Sequence, residues 1–393
     1  MMKMKTNKFI MLIISVIILT LVVAGGGFYL FANANNLALV PKSDYEKAVE
    51  LGNKYAKLEM LQNTIEEQFL WEIDEDAQMD AIYKASVDAL GDKYSSYMTK
   101  EEYEEWSDYV TGTFTGIGIA FTEDDKGNYV VNRVMEGGPA EAAGLKAGDV
   151  LLKVDGKTYD DSNKMAMHMR GEAGTSVKVT YKRDGKEKTV EMIRAEVTEL
   201  SVYGSVLKEG KNQYGYIQIT SFEAETAKQF ESELNDLENK NIKGLIVDLR
   251  NNPGGMVDQC VEVADMLLPE AMITYTEDKK GKKETYNSDE HCTKLKYVVL
   301  INENSASASE IIAAAVKDNK GGKLVGETTF GKGIIQGTMS FDDESAMTLT
   351  IMQYFSPEGK KIHKKGVSPD YTVKLPADAK TDVQLEKAID LLK

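Results

Sequence analysis

The stretch Gly244-Leu245-Ile246-Val247-Asp248-Leu249-Arg250-Asn251-Asn252-Pro253-Gly254-Gly255 decides the fold of the second half of this chain. Its first six residues are an apolar run bounded by turn signals, the pattern of a buried strand. A Pro-Gly-Gly loop ends it, and Val257, Cys260, Val261, Ala264 and Leu268 then recur at the spacing of a helix with one inward face. The same order returns downstream. Tyr297-Val298-Val299-Leu300-Ile301 is a second apolar strand, leading into a helix from Ser309 to about Lys317. Upstream, Gly215 to Thr220 alternates as a strand and Ala224 to Glu238 is an amphipathic helix. From about Tyr214 onward the pattern is therefore α/β. Both connecting loops fall at carboxyl ends of strands, where open α/β sheets bind ligands.

The second loop carries Ser305-Ala306-Ser307-Ala308-Ser309-Glu310, and further on comes Thr329-Phe330-Gly331-Lys332-Gly333-Ile334-Ile335-Gln336. His168, His291 and His363 are the only histidines, scattered too widely to suggest a metal site, and none lies near the serines in sequence. A serine paired with a lysine base is an alternative to Ser-His-Asp for attacking an amide. A serine at a helix start sits beside unpaired N–H groups and the positive end of the dipole, which favour developing negative charge. The N–H after the nucleophile supplies one oxyanion donor and the glycine loop a second. Lysine is a poor base at its reference pKa of about 10.4. Burial against Phe330, Ile334 and Ile335 is expected to lower that value, Gly331 and Gly333 let the backbone bend, and Gln336 is placed to orient the amine. These arguments leave Ser305, Ser307 and Ser309 all open as nucleophile.

Residues 112–195 have a different texture of short strands and turns. Phe114 to Phe121 reads as a strand entered through a glycine loop, and Tyr129 to Val134 as a second. Gly138-Pro139-Ala140 opens a short helix closed by Gly144, and Gly148-Asp149 turns into the strand Val150 to Val154. Met165 to Met169 fits a second helix, and a hairpin turns at Asp184-Gly185. The loop Gly116-Ile117-Gly118-Ile119, with Gly138-Pro139-Ala140 through Ala147-Gly148-Asp149-Val150-Leu151, closely resembles a PDZ domain of the bacterial protease type. Such domains add a peptide as a strand and hold its terminal carboxylate on backbone N–H groups. By that resemblance Gly116, Ile117, Gly118 and Ile119 receive an apolar C-terminus, and Arg170 is a candidate for linking PDZ occupancy to the active site.

The PDZ-like segment, the loop Asp248 to Gly255, the serine run and the Gly-Lys-Gly loop together resemble the carboxy-terminal processing (tail-specific) protease family over about residues 75 to 393. The resemblance implies a crotonase-like core of the ClpP/crotonase type, Ser307 as nucleophile, Lys332 as general base and Gln336 as its orienting residue. It also implies an oxyanion hole from Ala308 N–H with Gly254 or Gly255, protein substrates with apolar C-termini, and no cofactor. The competing readings are a non-catalytic PDZ adaptor or scaffold, and a small-molecule esterase or amidase using the same pair.

The remaining sequence concerns delivery. Lys3, Lys5 and Lys8 precede an uncharged apolar stretch, Phe9 to Phe31, long enough to cross a bilayer as a helix. Lysines on that flank place the start in the cytoplasm and the rest outside. A retained single-pass anchor is expected over residues 1–34, the alternative being a signal peptide cleaved near Ala32-Asn33-Ala34. Residues 41–111 read as a helical region whose apolar stripe (Tyr45, Ala48, Leu51, Tyr55, Leu58, Ile65, Phe69) suits either a homodimer or packing on the chain's own peptidase core, residues 196–393. The net charge of -16 with no basic stripe argues against a nucleic-acid partner. Cys260 and Cys292 are too few for a disulfide scaffold; two unpaired thiols are expected, a single bridge being the alternative.

Overall fold

The computed structural model describes residues 6–393 apart from 36, 38, 39, 125 and 377, so Lys3 and Lys5 lie outside the described residues. The chain divides into two compact units, residues 1–79 and 80–393. The first contains the helix Thr6–Ala34, whose stretch Lys8–Ala34 has a mean hydropathy of 2.8 and is long and apolar enough to cross a membrane. It also contains the helix Lys42–Gln68, which buries none of its residues.

The second unit begins within residues expected to be helical. The helix Lys100–Thr111 is there, entered by a capping box between Thr99 and Glu102. Before it, however, lies a three-residue strand, Ser96–Met98, antiparallel to the strand Ala346–Phe355. The 41–111 region is thus not one helical arm. Tyr97 and Met98 are buried in the sheet that also carries the strand Ile334–Ser340, a pairing too short and too distant in sequence for periodicity to reveal.

In residues 113–198 a five-stranded antiparallel sheet runs in the order Ile119–Glu123, Tyr129–Val134, Val150–Val154, Ser176–Arg183 and Lys186–Ile193. The helices Pro139–Ala142 and Ser162–Met169 close its core around Ile117, Val131, Val154, Met165 and Val179. The single strand expected over 114–121 is two strands in different sheets. Thr113–Gly116 pairs with Ala195–Thr198 at the domain's neck, and Gly118, at φ 76°, breaks the chain before Ile119–Glu123.

The second half of the chain is built on a six-stranded sheet in the order Tyr371–Thr372, Lys323–Gly326, Tyr297–Ile301, Leu245–Asp248, Asn212–Ile219 and Val202–Glu209. It is parallel except for the last pair. The helices Thr226–Glu238, Val257–Leu267 and Ala308–Asp318 join Leu245, Val247 and Val299 in one core, while Val383–Leu392 joins Ile246, Val298 and Leu300 in the other. Alternate residues of the central strands therefore feed opposite layers. A second sheet, largely unforeseen, pairs Ser96–Met98, Ala346–Phe355, Ala271–Asp278 and Lys283–Ser288, with Ile334–Ser340 also on Ala346–Phe355. It carries Lys332 and Gln336 to the carboxyl ends of the first sheet.

Candidate active site

Burial separates the three serines. Ser305 is fully buried; its hydroxyl donates to Leu249 O at 2.8 Å and accepts from Asn302 N–H at 2.9 Å. Ser309 is fully buried and donates to Asn252 O at 3.1 Å. Both hold loops together. Ser307 alone lines an open cavity of about 620 Å³, shared with Lys332, Gln336, Gly254 and Gly255. Its backbone is held at φ 55°, ψ −116°, a sparsely populated conformation for a residue with a side chain. Strain of this kind needs surrounding contacts to hold it.

Two buried side chains supply them, and neither was assigned a role from sequence. The Glu310 carboxylate accepts from Ser307 N–H (3.0 Å), Gly331 N–H (2.7 Å), Lys332 N–H (2.7 Å) and Thr329 Oγ1 (2.5 Å). Burial pushes this carboxyl up, against four hydrogen bonds that favour the charged form. The Tyr354 hydroxyl lies between Ser307 O, at 2.9 Å, and Lys332 O. One carboxylate and one phenol thus tie the backbone of Ser307 to that of Lys332. The spacing Ser307-x-x-Glu310 is a capping-box signature and could have flagged Glu310; nothing local marks Tyr354.

The Lys332 side chain is half-buried, and burial lowers its pKa, helped by Lys93 and opposed by Asp92. Its apolar neighbour differs from the expected Phe330, which is 53% exposed. Instead, Lys332 Nζ lies over the Tyr94 ring, 4.7 Å from the centroid. Gln336 shares the cavity, but its amide donates to Thr350 Oγ1 at 3.0 Å rather than meeting the amine.

Among the oxyanion candidates, Gly254 N–H already donates to Asn252 Oδ1 at 2.8 Å. Ala308 N–H and Gly255 N–H have no intramolecular partner among the described residues. An added Cβ on Gly254 would meet Ser307 Cβ at 2.6 Å and Ala308 N at 3.0 Å, so this loop rests directly on Ser307. Fully buried Asn252 makes the junction, since its carbonyl also accepts from Ala306 N–H at 3.0 Å. The cavity is also lined by Trp106, Tyr109 and Val110 with Glu223, whose carboxyl burial pushes up and whose Oε2 has no partner among the described residues. Cys260 and Cys292 are unpaired, and the Cys260 thiol donates to Ala308 O at 3.3 Å.

A separate groove in the smaller domain is lined by Gly116, Ile117, Gly118, Ile119, Met169 and Arg170 among others. Arg170 pairs with Asp108 at 2.7 Å and lies 5.1 Å from the Phe114 ring centroid. Asp108 belongs to the same helix as Trp106 and Tyr109, so one ion pair joins this groove to the wall of the cavity.

Residues 213–373 match the model of peptidase family S41, and residues 115–193 that of the PDZ domain. The carboxy-terminal processing protease CtpA of Bacillus subtilis (strain 168) is 34% identical over 369 residues, covering 93% of this chain and 78% of that protein. CtpB of the same organism is 32% identical, over 85% and 69%. The chain belongs to peptidase family S41. It is a serine-type carboxy-terminal processing protease with a PDZ domain, and so a binder of protein substrates. A probable CtpA-like serine protease of Staphylococcus haemolyticus (strain JCSC1435) is 31% identical over 95% of this chain and 74% of its own. The solved photosystem II D1 C-terminal processing protease is 31% identical, covering 85% and 90% of the two chains, with a TM-score of 0.49.

Proposed function

We propose that this protease captures an apolar protein C-terminus in the groove at Gly116–Ile119 and cleaves an upstream peptide bond by a Ser307–Lys332–Gln336 mechanism. The observation that carries the reading is the sorting of the serine run: of Ser305, Ser307 and Ser309, only Ser307 lines the cavity that Lys332 and Gln336 share. Neutral Lys332 takes the Ser307 proton as Oγ bonds to the substrate carbonyl carbon. The resulting oxyanion is met by Ala308 N–H and Gly255 N–H, since Gly254 N–H has a partner. As the C–N bond breaks, Lys332 returns that proton to the leaving amine, leaving an acyl-enzyme that a Lys332-activated water hydrolyses. Gln336 orients the amine once its own amide leaves Thr350. The Arg170–Asp108 pair is the route by which groove occupancy is felt at the cavity wall.

The apolar helix Thr6–Ala34 serves as a retained anchor or a signal sequence, and the lysine-flanked start supports an extracytoplasmic peptidase. The full chain in detergent, beside Ser307→Ala and Lys332→Ala, is mixed with an unstructured protein ending in apolar residues and with its C-terminally amidated form. Loss of turnover in both variants with peptide binding retained, and slower cleavage of the amidated substrate, are expected. Robust cleavage by Lys332→Ala removes the assigned base. Equal cleavage of both substrates removes the tail-recognition step.

A further inference from the structure

The backbones of Ser307 and Lys332 are tied together through Glu310 and Tyr354, yet the Lys332 amine reaches neither Ser307 Oγ nor Gln336 among the described residues. It lies over Tyr94, 4.7 Å from the ring centroid, with Lys93 Nζ 4.8 Å from the same centroid. The backbone that carries the ring is well held. Tyr94 N–H donates to Asp92 Oδ1 at 3.2 Å, Ser95 Oγ donates to Asp92 Oδ2 at 2.7 Å, and Thr350 N–H donates to Ser95 Oγ at 3.0 Å. The strand that follows, Ser96–Met98, pairs with Ala346–Phe355, the partner of the strand carrying Gln336. Tyr94 also lines the catalytic cavity, within reach of anything bound there.

We propose that Tyr94 is a positioning residue for the base: its ring seats the Lys332 amine away from Ser307 in the peptide-free enzyme, and a substrate chain entering the cavity displaces the amine onto Ser307 by side-chain rotation alone. This rests on the reading of Lys332 as general base. An aromatic face attracts an ammonium ion through its quadrupole and has no such hold on a neutral amine. The base must act as the neutral amine, so seat and catalysis compete for one group in two protonation states. The charged groups facing it are Asp92, which favours the ammonium, and Lys93, which opposes it, with the Tyr94 phenol beside them. His363 acts one step removed, through Asp92. Because both backbones are pinned, no loop movement is required to assemble the pair.

The test compares full-length wild type, Tyr94→Phe and Tyr94→Leu in detergent, with kcat and KM for a quenched peptide measured across the alkaline range. The rising limb of kcat/KM reports the free enzyme and that of kcat the substrate complex. In Tyr94→Leu the kcat/KM limb moves to lower pH, raising kcat/KM below the limb by about threefold to tenfold, the strength of a partly desolvated cation–π contact. The kcat limb stays where it was, since bound substrate has already emptied the seat. Tyr94→Phe keeps the ring and the wild-type limb. A structural role predicts lower activity with neither limb displaced, and that result, or a Phe variant that behaves like Leu, overturns the proposal. Should the Leu variant not fold, fluorinated phenylalanines at position 94 keep the ring's shape while draining its quadrupole. The kcat/KM limb then moves stepwise to lower pH with fluorination, and an indifferent limb overturns the seat. Lys332→Ala separates the two claims: activity in that variant removes the base itself, whereas its inactivity beside an unmoved limb removes only Tyr94.

Discussion

The catalytic loop and the PDZ loop both present peptide backbone through glycine, but they are held by different matter. A Cβ added to Gly255 would fall on the carbonyl oxygen of Phe222 and within 2.9 Å of its backbone nitrogen. These are backbone atoms of a β-bridge between the two residues. At Gly118 the nearest atoms are the Val197 methyls, at 3.2 and 3.5 Å, and Met135 Cβ at 3.5 Å. Side-chain methyls can rotate aside and backbone cannot. The loop at Gly255 is therefore stiff, while the groove at Gly118 yields. On the mechanism proposed above, what must adjust is left to side chains, Lys332 and Gln336, rather than to the loops bearing them.

The largest expected effect comes from testing this difference directly. Gly255→Ala forces the loop off Phe222 and displaces one oxyanion donor, so kcat falls by about 100-fold or more and thermal stability falls with it. Gly118→Ala carries the strain of φ 76° but its tightest contact is a rotatable Val197 methyl, so it weakens peptide capture by about tenfold at most. Its kcat at saturating substrate is little changed. Calorimetric titration of a peptide with an apolar C-terminus, beside steady-state kinetics, measures both. Equal losses in the two variants would break the comparison.

A smaller loss is expected from Glu310→Gln, which keeps the shape of the buried bridge. The carboxamide retains one acceptor and turns an NH₂ toward donors that now lack a partner, at a cost of about 1–3 kcal/mol per unsatisfied group. If the two-sided tie between Ser307 and Lys332 sets the geometry, the variant melts lower and loses kcat while KM and peptide binding hold. An unchanged kcat at a lowered melting temperature would assign Glu310 to stability alone.

The same contrast explains what could be read from sequence. Gly244 to Gly255 and Tyr297 to Ile301 announced buried strands because their runs are local, and the loops at their carboxyl ends then located the cavity. The resemblance pointed to Ser307, but by their own chemistry Ser305, Ser307 and Ser309 stayed equivalent until burial separated them, since burial depends on Leu249 and Asn252 reaching across from another loop. Tyr94 and Tyr354 were illegible for the same reason. They enter through an antiparallel sheet whose register, Ser96 opposite Thr348, joins residues far apart in the chain. Residues within one run declared themselves, and residues delivered by long-range pairing did not.

The smallest expected effect concerns stability. The folded state holds Lys332 with a lowered pKa, burial being the main cause, so the folded chain binds this proton less readily than the unfolded chain does. A lysine depressed in this way costs stability wherever the unfolded chain is protonated, and the cost disappears above the ordinary lysine pKa of about 10.4. Lys332→Met keeps the apolar stem and removes the charge. It is expected to melt higher than wild type at neutral pH, with the difference shrinking as the pH rises toward that value. Scanning calorimetry of the two proteins at several pH values follows the trend. A lysine held partly out of water should weaken the fold that holds it, and a variant that melts lower at neutral pH would mean that contacts of the ammonium, with Tyr94 and Asp92, outweigh its burial.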